Sequence, residues 1–124
     1  MDIDEARKIV ARDVSEDTGV YVLLRLGQKP DPVLGRDFCI ALRTLWRTYQ
    51  DQPTVPTDVI RDCATILFLR AEAIGNLGSG ADAETLRLLN DINMHAYGVL
   101  MGRQMQMVFR IDLHDNAEYF RYKG

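Results

Sequence analysis

Two histidines, two cysteines and two serines bound the side-chain chemistry open to this sequence. Asp91 and His95 stand four residues apart. On a helix that spacing puts both side chains on one face. Asp112, His114 and Asp115 form a second cluster near the C-terminus. Imidazole and carboxylate together suit a divalent metal, so Asp91, His95 and His114 make a candidate ligand set. The paired Glu and Glu-x-x-His pattern of di-iron bundles is missing. The plainer reading of Asp91 and His95 is a helical surface pair that favours a protonated imidazole. No cofactor is expected.

Nucleophilic catalysis finds little support. Cys39 or Cys63 with His95 would make a Cys–His pair, but nothing in their spacing requires it. Both cysteines fall inside apolar helical patterns, as small buried hydrophobes do. Ser15 and Ser79 fall in expected caps or loops. Asp58 and Asp62, four apart, suit the N-terminal end of a helix, where the dipole favours acids. The run Gly75-Asn-Leu-Gly-Ser-Gly80 lacks the lysine of a phosphate-binding loop and reads as a flexible linker. Arg36, Arg43 and Arg47 share one side of a helix and read as a solvated face among Asp37 and Asp51.

The elements that must position these residues are helical. Asp2 and Glu5 form a capping box for a helix over residues 2–13. Residues 20–26 suit either a buried strand or a helix that ends at Gly27, and a Ser15 cap with the terminal glycine favours helix. Asp31 and Pro32 open a third helix, with Leu34, Phe38, Ala41, Leu42, Leu45 and Tyr49 as its apolar stripe and Trp46 beside it. Thr57 caps a helix running to about Ile74. Its middle is apolar on nearly all sides, which predicts a central position, covered by its own chain or by a second subunit. Asp82 starts the last long helix, expected to reach about residue 110. On it Gly98 and Gly102, four apart, leave a patch where another helix can come close. Residues 106–122 alternate in a way that also permits a short hairpin. The expected fold is therefore mainly α: one domain, a four- or five-helix antiparallel bundle, ending in a short C-terminal β-hairpin or an aromatic tail.

Composition narrows the function. The chain has 124 residues, the size of a single domain. Its net charge is −3 and its pI about 5.3, with acids and bases mixed along its length. Binding to nucleic acid rests on neutralising phosphates, so no nucleic-acid partner is expected. The acidic start, Met-Asp-Ile-Asp-Glu, carries no leader pattern, and no apolar run is long enough for a membrane span. A cytoplasmic location follows as the expectation. Arginine outnumbers lysine twelve to three, a bias that fits a GC-rich bacterial genome.

The last third is richest in side chains that build interfaces. Four of the five methionines lie between Met94 and Met107. Phe109, Tyr119, Phe120 and Tyr122 follow, interspersed with Arg110 and Arg121. Methionine, aromatic residues and arginine are enriched in interface centres. The predicted contact residues are Met101, Met105, Phe109, Tyr119, Phe120 and Tyr122. The leading expectation is a non-catalytic protein-binding helical module, of the adaptor, immunity or assembly-chaperone type, that forms a homodimer. The alternatives are a metal-binding bundle or metal-dependent enzyme on Asp91 and His95, and a bundle with a small-ligand pocket lined by Trp46, Tyr49 and the region of Phe68.

Overall fold

The computed structural model describes residues 1–78 and 80–102. Six helical segments form it: α1 (Ile3–Ser15), α2 (Val20–Arg25), α3 (Pro32–Tyr49), α4 (Thr57–Phe68), α5 (Arg70–Leu77) and α6 (Ala83–Met101). They pack as an all-α bundle, with no strand among the described residues. No described helix is long and apolar enough to cross a membrane.

The helix starts follow the capping chemistry. The Asp2 carboxylate accepts from the Glu5 amide at 2.8 Å. Asp31 accepts from the Val33 and Leu34 amides, with Pro32 at the first helical position. Asp82 accepts from the Thr85 amide at 2.7 Å and pairs with Lys29 at 3.0 Å. Those contacts, the Thr85 bonds first, hold its carboxyl down at about 2.

Two starts differ from expectation. Pro56, not Thr57, occupies the cap of α4, and no side chain bonds there. Ser15 does not cap α2, because α1 extends to it and its hydroxyl donates to the Ala11 carbonyl. The buried Asp13 instead accepts from the Val20 amide at 3.3 Å. The run from Val20 is helical, and Gly27 turns the chain after it with φ +78.

The core lies where α3 meets α1 and α6. Phe38, Ala41, Leu42, Leu45 and Trp46 are fully buried, along with Leu24, Ile66 and Ile92. Trp46 is therefore a central core residue rather than a flanking one. Leu34, at the start of the stripe, is exposed. The buried Tyr21 hydroxyl donates to the Ile66 carbonyl at 2.5 Å and ties α2 to α4. Burial pushes that phenol up to about 12.

The expected helix from Thr57 to Ile74 is broken. Leu69, at φ −92 and ψ 5, separates α4 from α5, which packs on α2 instead. Gly75 and Asn76, expected in a linker, belong to the last turns of α5, and the Asn76 amide donates to the Arg25 carbonyl at 2.6 Å. The last helix ends at Met101 rather than near residue 110. Gly102 follows it with φ +60, a backbone state that an α-helix does not contain. The hairpin or aromatic tail expected over 106–122 lies outside the described residues.

Candidate functional site

The polar residues with chemical potential gather on the seam between α3 and α6. Arg43 and Trp46 come from α3, and Asp91 and His95 from α6. All four are buried. Arg43 departs from the solvated face expected for it beside Arg36 and Arg47. The buried arc of α3 is wide, because α1 and α6 both cover it, and Arg43 sits between Cys39 and Trp46 at helical spacing. Arg36 is half-buried and Arg47 exposed.

His95 is 0% exposed, which overturns the expected surface pair. Its Nδ1 lies 2.5 Å from the Asp91 backbone carbonyl, so the bond is not to the carboxylate. A carbonyl only accepts, so in the neutral ring Nδ1 carries the proton and Nε2 the lone pair. Burial drives the imidazole down to about 4, against the Asp91 carbonyl bond, and the nearby Arg43 adds to the burial effect. The ring is thus neutral at physiological pH. A base this weak offers little general-base catalysis near neutrality. Its ring meets the Trp46 indole edge to face, centroids 5.8 Å apart and planes at 86°.

Gly98 lets this seam close. An alanine methyl there would overlap the Trp46 indole. The close approach expected of the Gly98 patch is therefore made by α3 of the same chain. It also leaves Trp46 sealed by its neighbours rather than lining the expected ligand pocket with Tyr49 and Phe68.

The other candidate groups do not converge. Among the described residues, no three His, Cys, Asp or Glu side chains come together as a metal site. His114, with Asp112 and Asp115, lies outside the described residues. Cys63 is buried, and burial, helped by Asp62, pushes its thiol up to about 12, far from a reactive thiolate. Neither Cys39 nor Cys63 is in a disulfide. Asp58 makes a two-point contact with Arg7 of α1, at 2.8 and 3.2 Å, which lowers its carboxyl pKa. Asp62 is raised by burial instead. The two carboxylates thus titrate in opposite directions for structural reasons.

The more telling feature lies on the outer surface. The α4 helix, expected to be central and covered by its own chain or a second subunit, buries one face among the described residues. Val59, Cys63 and Ile66 face inward, while Ile60, Ala64 and Phe68 face solvent. Among the described residues, its packing partners, chiefly α6 and α1, cover one side. Phe68, next to the break at Leu69, is 84% exposed. On α6, Leu86, Tyr97, Leu100 and Met101 are partly exposed, the last 38%. Met101 is the one predicted contact residue within the described chain. Met105, Phe109, Tyr119, Phe120 and Tyr122 lie outside it.

Sequence reading missed Phe68 as a surface residue. The signal was present as two stripes, 59-63-66 and 60-64-68, on different faces of one helix. Both are apolar, so the pattern does not say which is covered. Comparison of the chain with known protein families, curated proteins and solved structures finds no match.

Proposed function

We propose that this chain is a non-catalytic, protein-binding helical module that pairs with a second copy of itself. The observation that carries the reading is the solvent-facing Ile60, Ala64 and Phe68 stripe on α4, with Phe68 almost fully exposed. A large aromatic side chain left in water forgoes on the order of 2 kcal/mol of burial free energy. An exposed apolar stripe of this kind is typical of an interaction surface. Met101 on α6 is also partly exposed, and the sequence offers Met105, Phe109, Tyr119, Phe120 and Tyr122 as further contact residues. Self-pairing is the economical choice because two-fold dimers are the commonest oligomers. Two cysteines outside any disulfide fit a cytoplasmic setting.

Light scattering of the full chain over a concentration series tests the reading. Self-pairing predicts a mass that rises toward about 28 kDa, twice the 14.1 kDa chain. A mass fixed at the monomer value at every concentration would refute self-pairing.

A further inference from the structure

We draw no further inference here: the strongest candidate, the buried side-chain amide of Asn93 on α6, has neither polar atom hydrogen-bonded, but nothing among the described residues shows what would bind there.

Discussion

Replacing Gly98 with alanine adds one methyl group where α3 and α6 touch. That methyl carbon would lie 2.5 Å from Cδ2 and 2.8 Å from Cε3 of Trp46. Ordinary carbon contacts lie at about 3.5–4.0 Å. The atoms in the way belong to a rigid indole, not to the tip of a flexible chain. Trp46 is fully buried and braced by His95, so it has nowhere to swing. Forcing an extra group into a filled core costs about 1–3 kcal/mol. Against this, alanine in a helix interior gains about 0.5–1 kcal/mol over glycine. The net expectation for Gly98→Ala is a loss of roughly 1–2 kcal/mol, a fall in Tm of roughly 3–8 °C. Gly75→Ala supplies the control. It sits in α5, where an added methyl meets no packed neighbour within 4 Å among the described residues, so it keeps only the helix gain and stabilises by about 0.5–1 kcal/mol. Thermal unfolding followed by circular dichroism, with Trp46 fluorescence as a second probe, reads both variants. A Gly98→Ala protein as stable as Gly75→Ala would refute the packing of α6 on Trp46.

The neutral His95 makes stability fall in mild acid. Its unfolded value is near 6.5 and its folded value about 4, so between those pH values the unfolded chain binds more protons. The contribution is fully present above pH 6.5, declines as pH falls toward 4, and totals about 3 kcal/mol. Urea midpoints at several pH values should show this slope in the native protein and its absence in His95→Phe; equal slopes would contradict it. Asn93→Leu should leave stability unchanged or raise it by about 1–2 kcal/mol, since neither amide atom has a hydrogen-bond partner among the described residues. A clear drop in its Tm would show that the amide is engaged. Tyr21→Phe removes the donor to the Ile66 carbonyl and should cost about 1 kcal/mol in chemical denaturation, with no cost if that bond is not made.

The sequence marked the helices more clearly than their surroundings. Asp2, Asp31 and Asp82 act locally, through bonds to amides two or three residues on, and their caps were legible for that reason. Gly27 was legible as a stop because its positive φ is a local need. Arg43, His95 and Phe68 were not. Whether a side chain is buried depends on which helix lies beside it, and periodicity within one helix cannot report that. An arginine reads as solvated and a phenylalanine as core, yet among the described residues the coverage of α3 and the one-sided coverage of α4 reverse both. The break at Leu69 was likewise hidden, because no proline or glycine marks it. It coincides with the tertiary contact of α5 on α2. The Asp91 and His95 spacing correctly put both on one face of α6. It said nothing of the desolvation that keeps the imidazole neutral.

The most direct test of the account compares the native chain with Phe68→Asp by light scattering at matched concentrations, with helicity and Tm recorded on the same samples. Phe68 makes little contact within its own bundle, so the change should leave both folding readouts nearly intact. The account predicts a concentration-dependent dimer for the native chain and a monomer for the variant. A variant that pairs as well as the native chain would contradict the assignment of this face to self-association.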